Sequence, residues 1–267
     1  MSKELAFIGA GKMATAIAAG LINKDVLSAE AIIAADPFEA SRTAFEDKTS
    51  VTTTEQNKAA IAESARILLA VKPQEAENVL TPLKNDLQGK LLISIAAGLK
   101  IAKLQNWSGT EKIIRVMPNT PAMVNKGASV IACSPSVTDD DKAFAKKIFS
   151  AIGIVYEMDE DKLDAVTALS GSGPAFLFHY IEAMTEAAVA LGLEQEAAQA
   201  LLVQTIAGSA EMLQQGLGSP EELRIAVTSK GGTTAAGLES LASDDFKHII
   251  SNCLTAATRR SIELGED

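Results

Sequence analysis

The stretch FIGAGKMA, from Phe7 to Ala14, decides the fold of this chain. It overlaps the apolar run Leu5–Ile8, opens a helical pattern and contains the motif G-x-G-x-x-A. In a strand–turn–helix unit the first glycine permits a tight turn, the second lets a pyrophosphate approach the backbone, and the small third residue allows close packing of helix on strand. Free N–H groups and the positive dipole at the start of the helix attract phosphate. The stretch therefore predicts a dinucleotide-binding unit, against the alternative of a glycine turn used only for packing.

Strand-length apolar runs alternate with helical patterns through the first half of the chain. The runs are Leu5–Ile8, Ile32–Ala35, Ile67–Val71, Leu91–Ile95 and Ile113–Val116, and the helical patterns include Met13–Ile22, Glu55–Ser64 and Pro73–Leu87. Such alternation indicates parallel β–α–β units, whose strands are covered on both faces. A further predicted strand, Ala128–Ala132, precedes a helix from about Thr138 to Ile152, which Thr138 and Asp141 begin with a capping box. We therefore expect an α/β fold with a Rossmann-type, mostly parallel sheet.

The strand signals stop after about Asp159, and the rest of the chain has helical spacing. Apolar and small side chains recur on one face of successive helices at Leu177, Ile181, Met184, Ala188 and Leu191, then at Leu202, Ile206, Ser209 and Leu213, and last at Ile250, Leu254 and Ala257. About 100 residues with such wide apolar faces predict packing against a second subunit, with a self-contained bundle as the alternative. We expect a dinucleotide-binding Rossmann domain over residues 1–158 and an all-α helical domain for substrate binding and dimerisation over residues 159–267.

Composition argues against several classes of protein. The net charge is −10, and no basic patch is large enough to neutralise a row of phosphates, which argues against nucleic-acid binding. No apolar run reaches the ~18 residues of a membrane span, and the first residues do not resemble a signal peptide. Two cysteines without CxxC spacing indicate reduced thiols, and two histidines argue against a histidine-rich metal site. We expect a cytoplasmic protein with a small-molecule ligand and with no metal, nucleic-acid or membrane partner.

The second predicted strand leads into Asp36. An acidic side chain there can accept hydrogen bonds from the ribose 2′-OH of NAD and would repel the 2′-phosphate of NADP. Arg42, further along the chain, could instead offset that phosphate, and Asp36 could serve only to cap the next helix. The sequence leaves the cofactor preference open, with a tilt toward NADH.

Other stretches follow predicted strands, at the edge where α/β sheets place their ligands. Ala70–Gln74 contains a proline that ends the strand and leaves Val71 and Lys72 at this edge. Ile95–Gly98 has small residues that let a flat ring lie close. The stretch RVMPNTP, residues 115–121, is too rich in proline for a strand or a helix. We expect a rigid turn in which Asn119 either orients a carboxamide of the cofactor or ties the loop to itself.

Six motifs that occur in this order resemble those of the pyrroline-5-carboxylate reductases: FIGAGKMA, AVKPQ, SIAAG, RVMPNTPA, LSGSGPAF and TSKGGTT. The resemblance covers nearly the whole chain, and although the first motif is generic, the set is highly specific. It implies a Rossmann domain and a helical dimerisation domain, and the reduction of a cyclic imine by NADH or NADPH in the last step of proline biosynthesis. It also implies a homodimer that can assemble further, often into a homodecamer.

The resemblance assigns cofactor-binding positions along the sheet edge. It implies that Gly9, Ala10, Gly11, Lys12 and Met13 hold the pyrophosphate, that Asp36 contacts the adenosine ribose, that Asn57, Ala70, Val71, Lys72 and Pro73 contact the cofactor, and that Ala96, Ala97 and Gly98 border the nicotinamide. Many family members have serine or threonine near the position of Asp36 and accept NADPH well. The aspartate therefore keeps the preference between NADH and NADPH open.

The turn TSKGGTT, residues 228–234, is the predicted substrate site. Gly231 and Gly232 leave the backbone bare ahead of a helix whose first N–H groups, including that of Thr233, can bind a carboxylate. The resemblance implies that the hydroxyl of Thr234 lies by the ring nitrogen of the imine, and we expect it to be the catalytic group. Ser229 is expected to contact the carboxylate from the other side. The alternative is that the turn only caps a helix.

Glu160 matches an acidic position near the active site of the family, which implies contact with the substrate. The alternative is that it only caps a helix that begins near Asp161.

Two other functions are alternatives. A 3-hydroxyacid dehydrogenase has a similar two-domain organisation but uses a lysine early in its helical domain, and LSGSGPAFLFHYIEAM, residues 169–184, contains none. A non-catalytic NAD(P)-binding redox sensor would need the Rossmann half of the chain but not the GGTT turn.

Overall fold

The structure, a computed structural model, describes residues 3–266 and contains one eight-stranded sheet and thirteen α-helices within them. The strands are β1 (Leu5–Ile8), β2 (Ile32–Ala35), β3 (Thr52–Thr54), β4 (Arg66–Leu69), β5 (Leu91–Ser94), β6 (Ile113–Met117), β7 (Gly127–Cys133) and β8 (Gly153–Glu157). The helices are α1 (Lys12–Asn23), α2 (Glu39–Thr49), α3 (Asn57–Glu63), α4 (Ala76–Leu80), α5 (Lys84–Leu87), α6 (Ile101–Ser108), α7 (Asp139–Ser150), α8 (Leu163–Val166), α9 (Gly173–Ala190), α10 (Gln195–Gln214), α11 (Pro220–Ala226), α12 (Thr233–Ser243) and α13 (Phe246–Glu266). A π-helical turn spans Thr167–Gly171.

The strands lie in the order β3-β2-β1-β4-β5-β6-β7-β8, and neighbouring strands are parallel except for β6 and β7. The first six positions of this order are those of the Rossmann fold. The predicted fold class is confirmed. Because β1, β4 and β5 are parallel neighbours, their carboxyl ends meet at the same edge of the sheet.

Alternate residues of β1 belong to hydrophobic cores on opposite faces of the sheet. Phe7 lies in one core with Ile17 of α1 and Phe45 of α2, and its ring meets that of Phe45 edge-on with centroids 5.9 Å apart. Ile8 lies in the other core with Ile61 of α3. Burial on both faces is the reason for the continuous apolar runs in the sequence, and it holds the loops at the carboxyl edge in place.

Two local predictions are wrong. The predicted single helix Pro73–Leu87 is broken into α4, α5 and two 3₁₀ turns, because Pro82 cannot donate a helical hydrogen bond and its ring clashes with the preceding turn. The stretch at residues 115–121 was expected to contain no strand, although the predicted strand Ile113–Val116 overlaps it. Its first three residues complete β6, which pairs with β5 and β7 before Pro118 is reached. The capping box of Thr138 and Asp141 is confirmed at the start of α7.

The chain divides into two compact units. The first extends to Ser172 and also contains the chain from Ala256 onward, and the second is Gly173–Thr255. The expected boundary between residues 158 and 159 lies earlier than this division. The difference arises because Leu163 and Val166 of α8 are buried in one of the two cores of the sheet.

The second unit has almost no buried side chains of its own. Among its described residues only Ala198 is buried. Large apolar side chains are exposed on its helices and on the residues that directly follow them, among them Phe178, Leu191, Leu201, Ile225, Val227 and Ile249. Helices that are apolar over most of their surface are normally buried, so the packing of this unit by itself leaves its apolar faces uncovered.

Two kinds of feature are absent from residues 3–266. No helix in this range is long and apolar enough to cross a membrane. No group of three or more His, Cys, Asp or Glu side chains in the same range could hold a metal ion.

Candidate active site

The glycine loop after β1 is shaped for a phosphate group. Gly9 has φ +98°, and a Cβ at this position would lie 2.8 Å from the carbonyl oxygen of Ala70, so only glycine fits without strain. Gly11 precedes α1, and a Cβ there would meet only open space. No side chain caps α1, which leaves its first N–H groups free for an anion. The loop therefore fits the pyrophosphate of a dinucleotide, with Lys12 and Met13 in the first turn of the helix.

A groove of about 540 Å³ opens at this loop. Ala10, Gly11 and Lys12 line one side of it, and Ser41 and Lys48 of α2 line another. Its volume lies within the range of small-ligand sites. A cavity of about 570 Å³ in the second unit is lined by none of the predicted site residues.

Asp36 ties the end of β2 to the glycine loop. One carboxylate oxygen accepts the N–H of Ala10 over 2.9 Å, and the other accepts the N–H of Phe38 over 2.9 Å. Asp36 is only 8% exposed. The guanidinium of Arg42 donates to the carbonyl oxygens of Asp36 and Pro37 over 2.9 and 3.2 Å. A carboxylate and a guanidinium therefore share the corner where a Rossmann fold places the adenosine ribose.

Asn57, the first residue of α3, has an unsatisfied polar atom. Its Oδ1 is buried and has no hydrogen-bond partner in the structure. A buried acceptor without a partner costs about 1–3 kcal/mol. The atom is therefore a candidate contact for the hydroxyl groups of a bound dinucleotide.

The ends of β4 and β5 lie beside the glycine loop in the sheet order. The N–H of Ala70 donates to the carbonyl oxygen of Ile8 over 2.8 Å, and Lys72 beyond it is exposed. After β5, Ala96 is buried, Ala97 is exposed and Gly98 turns the chain with φ +79°. The predicted contacts Ala70–Pro73 and Ala96–Gly98 are thus brought to one edge with the glycine loop.

Asn119 is bonded to the protein at both ends of its amide. Its Nδ2 donates to the carbonyl oxygen of Ser170 over 3.1 Å, and its Oδ1 accepts the N–H of Ala128 over 2.8 Å. Ser170 lies in the π-helical turn, a feature that often occurs at functional sites. This geometry favours the loop tie over the alternative that Asn119 orients a carboxamide of the cofactor.

Glu160 is likewise bonded within the first unit. Its Oε1 accepts the N–H of Ile101, at the start of α6, over 2.7 Å and pairs with Arg115 over 3.2 Å. Arg115 is buried on β6 and also lies 3.7 Å from Asp164. Sequence reasoning missed this network, although an arginine inside the apolar run IIRVM requires buried acidic partners.

The turn before α12 is open and glycine-dependent. Gly231 has φ +71°, and a Cβ on Gly232 would overlap the side chain of Ser229. The N–H of Gly232 donates to the carbonyl oxygen of Ser229 over 3.1 Å. No side chain caps α12, whose first residues Thr233 and Thr234 are exposed. The alternative that Ser and Thr serve here only as helix caps is therefore not supported, because the capping hydrogen bond is absent. The free N–H groups at the start of the helix fit a carboxylate.

The strand order and the uncapped glycine loop define the class of protein first: a Rossmann-type dinucleotide-binding protein. Comparison with known proteins extends this. Residues 160–264 match the family described as "Pyrroline-5-carboxylate reductase dimerisation", and residues 4–98 match "NADP oxidoreductase coenzyme F420-dependent".

Full-length relatives make the family specific. The chain is 41% identical to a pyrroline-5-carboxylate reductase of Arabidopsis thaliana, over 99% of this chain and 96% of that protein. It is 42% identical to that of a Synechocystis strain over the full length of both. A solved structure of the Plasmodium falciparum enzyme with NADP bound has a TM-score of 0.89 at 36% identity, covering 98% of both chains. The chain belongs to the pyrroline-5-carboxylate reductase family, as its motifs predicted.

Proposed function

We propose that this protein reduces 1-pyrroline-5-carboxylate to proline, the last step of proline biosynthesis. One observation carries the proposal: a dinucleotide loop and an uncapped glycine turn occur together in a chain that aligns with pyrroline-5-carboxylate reductases over its full length. A bound NADH or NADPH would supply the hydride. Neither a covalent nucleophile nor a metal is required, because orientation alone can lower such a barrier by about 7–11 kcal/mol.

The residues at the sheet edge hold the cofactor in this proposal. The N–H groups from Gly9 to Met13 bind the pyrophosphate. The unpaired Oδ1 of Asn57 accepts a hydrogen bond from a hydroxyl group of the cofactor. The segment Ala70–Pro73 lies under the cofactor, and Ala96–Gly98 borders the nicotinamide. Ala97 is the exposed residue of that last turn, so its small side chain is the one available to the ring.

The turn before α12 holds the substrate. The backbone N–H groups of Gly231 to Thr234 bind the carboxylate, and Ser229 contacts it from the other side. The hydroxyl of Thr234 hydrogen-bonds the ring nitrogen of the imine. Threonine is a poor acid at neutral pH, so the proton that the nitrogen gains comes from solvent or is already present on an iminium substrate. Glu160 supports the site indirectly, because its carboxylate is already bonded to Ile101 and Arg115.

Both cofactors support turnover in this proposal. The oxygens of Asp36 are already hydrogen-bonded to Ala10 and Phe38, which weakens the preference for a ribose 2′-OH that the sequence indicated. Arg42 at the same corner offers a positive charge to a 2′-phosphate. The two charges oppose each other, and we expect neither NADH nor NADPH to be excluded.

The second unit forms a homodimer in this proposal. Its exposed apolar side chains would be buried by a second copy of the chain. The family that residues 160–264 match is described as a dimerisation region. Further assembly of dimers into a homodecamer is the finer proposal. Sedimentation of the full chain tests both, since each oligomer is a multiple of the 27.9 kDa subunit.

The deciding experiment follows the absorbance of NADH or NADPH with purified full-length protein. We expect oxidation of both cofactors only when 1-pyrroline-5-carboxylate is added, with proline as the product. A parallel assay offers NAD or NADP together with 3-hydroxyacids. Turnover of the hydroxyacids would favour a dehydrogenase, and binding of cofactor without any turnover would favour a redox sensor.

A further inference from the structure

The end of the last helix packs tightly against the turn that follows β5. Gly98 has φ +79°, and a Cβ on it would lie 3.5 Å from Leu264. Gly265 is buried, and a Cβ there would lie only 2.7 Å from the carbonyl oxygen of Gly98. Two glycines therefore let the backbone of α13 and the backbone of this turn approach each other directly. A side chain on Gly265 would force one of the two segments to shift, whereas a side chain on Gly98 would be disfavoured by the positive φ rather than by a clash.

A second set of contacts leads from the same helix end to the same segment. Ser261 is 5% exposed, and its hydroxyl donates to Asp164 over 2.7 Å. Asp164 lies 3.7 Å from the buried Arg115, which pairs with Glu160 over 3.2 Å. Glu160 in turn accepts the N–H of Ile101 over 2.7 Å.

Both sets of contacts meet on one short segment, from Ala96 to Ile101. The glycine contact holds it at Gly98, and the ionic network holds it at Ile101, where α6 begins. A turn that contains a glycine at positive φ has wide conformational freedom unless it is held. The structure therefore restrains this segment at two points, Gly98 and Ile101.

We propose that Ser261 and Gly265 of α13, together with Glu160, are positioning residues that set where the nicotinamide ring lies. The inference rests on the proposed function for the identity of the ring at Ala96–Gly98. It assigns a role in the reaction to the C-terminal helix and replaces the expected substrate contact of Glu160. Even a small movement of the nicotinamide ring should matter, because a displacement of about 1 Å can reduce the rate of a reaction by about 100-fold.

Gly265→Ala is the most direct test. The added methyl group displaces the turn at Gly98, so we expect kcat to fall by about 10-fold or more through misplacement of the ring. The affinity for ADP, which occupies only the adenosine and pyrophosphate positions, should be unchanged. The fluorescence of bound NADPH, which reports the surroundings of the nicotinamide, should change. Glu266→Ala, at the exposed neighbouring position, is the matched control and should behave as wild type.

Three results would overturn the proposal. The first is an unchanged kcat and an unchanged NADPH fluorescence in Gly265→Ala. The second is a loss of ADP affinity in Gly265→Ala that parallels the loss of kcat. The third is the same loss of kcat and change of fluorescence in Glu266→Ala. If Gly265→Ala does not fold, Ser261→Ala takes its place, because it removes only the hydroxyl that donates to Asp164. This variant should lower kcat and alter NADPH fluorescence at unchanged ADP affinity, and Ser261→Thr should restore part of the loss. Wild-type behaviour of Ser261→Ala would contradict the proposal.

The test of the positioning role can be distinguished from the test of the proposed function. A wild-type protein that does not turn over the imine acid contradicts the proposed function alone. The ADP and NADPH measurements do not depend on turnover and still decide whether the C-terminal helix positions the turn.

Discussion

The two units of this chain use apolar side chains in opposite ways. In the first unit, Phe7, Phe45 and Phe149 are fully buried around the sheet. In the second, Leu191 is 88% exposed and Leu201 is 64% exposed. Burying one large apolar side chain contributes about 1.5–3 kcal/mol, so the first unit is stabilised within the chain, whereas the second leaves that free energy for an interface. The proposed cofactor edge belongs to the first unit, and the proposed substrate turn belongs to the second.

The largest expected effect comes from breaking the interface. Leu201→Glu places a carboxylate on the apolar surface of α10, and burying an unpaired charge costs several kcal/mol, which weakens the dimer on the order of 1000-fold. Phe178→Glu on α9 tests the same unit independently. Sedimentation should show monomers with little turnover. The control is Phe38→Glu in the first unit, where an equally exposed side chain should be replaceable without a change in mass. Wild-type mass in both helical variants would mean that these faces are not covered by a second copy.

The next effect separates the substrate turn from the cofactor edge. Thr234→Ala removes the hydroxyl that we propose hydrogen-bonds the imine nitrogen. We expect kcat to fall by about 100-fold, because the loss of one preorganised hydrogen bond at a reacting group costs about that much. The Kd for NADPH should not change, because the proposed cofactor site lies in the first unit. Steady-state kinetics and fluorescence titration measure the two quantities, and Thr234→Ser should recover most of the rate. An unchanged kcat would remove Thr234 from the mechanism.

A smaller effect is expected within the cofactor edge. Asp36→Ala removes the acceptor for the N–H of Ala10, and because hydrogen bonds to charged groups contribute about 1.5–3 kcal/mol, the Kd for both NADH and NADPH should rise by about 10-fold or more. Equilibrium titration with each cofactor checks this. If Asp36 instead accepts hydrogen bonds from the ribose 2′-OH of NADH, its replacement should shift the preference toward NADPH. Tighter NADPH binding with weaker NADH binding would support that interpretation. It would contradict a role of Asp36 in holding the glycine loop through the N–H of Ala10.

The capping boxes give a matched pair of small effects, one in each unit. Thr138 caps α7 in the first unit, and Ser219 caps α11 in the second. Thr138→Ala should lower the free energy of unfolding by about 1 kcal/mol, the usual contribution of an N-cap. Ser219→Ala should lower it as well, but only while the dimer holds the second unit folded. Chemical denaturation at two protein concentrations distinguishes the units, since only the second should depend on concentration.

The same caps predict the smallest effect, a pH dependence. Burial acts to raise the pKa of Asp141, but hydrogen bonds from Thr138 and Lys112 outweigh it, and the pKa lies below its ordinary value of 3.8. The backbone N–H and the hydroxyl of Ser219 lower the pKa of Glu222. A depressed folded-state pKa stabilises the protein above the unfolded-state pKa, and this contribution is lost as the pH falls through the folded-state value. Asp141→Asn should therefore differ from wild type at neutral pH and converge with it in acid. A difference that grows toward acid would contradict this account.

The sequence predicted the Rossmann sheet well because its evidence is local. β1 and β2 are found at the predicted residues, since a run of apolar residues flanked by glycine or aspartate admits few other structures. The broken helix after Pro73 and the end of β6 were missed. In the first case a second proline interrupts a pattern that still has helical spacing, and in the second the pairing with β5 and β7 overrides the prolines that follow.

For the candidate site the sequence named the residues, and the structure adds how several of them are bonded. The residues of the glycine loop and of the turn before α12 were named from motifs, because a bare backbone needs glycine and glycine is visible in a sequence. The bonding of Asp36 to Ala10 and of Glu160 to Ile101 could not be predicted, since these partners lie far away along the chain. For Asn119 the sequence offered a bond within the protein only as one of two alternatives.

The sequence by itself determined the family, the fold class and which backbone segments stay bare for ligands, because these depend on the order and type of neighbouring residues. Only the tertiary structure decided which side chains remain free to act. A carboxylate or an amide is more available to a ligand when protein groups leave its hydrogen-bonding capacity unused. Whether they do so depends largely on groups from distant parts of the chain. For the same reason the contact of Gly265 with Gly98 emerged only from the folded chain, where the last helix meets the turn that follows β5.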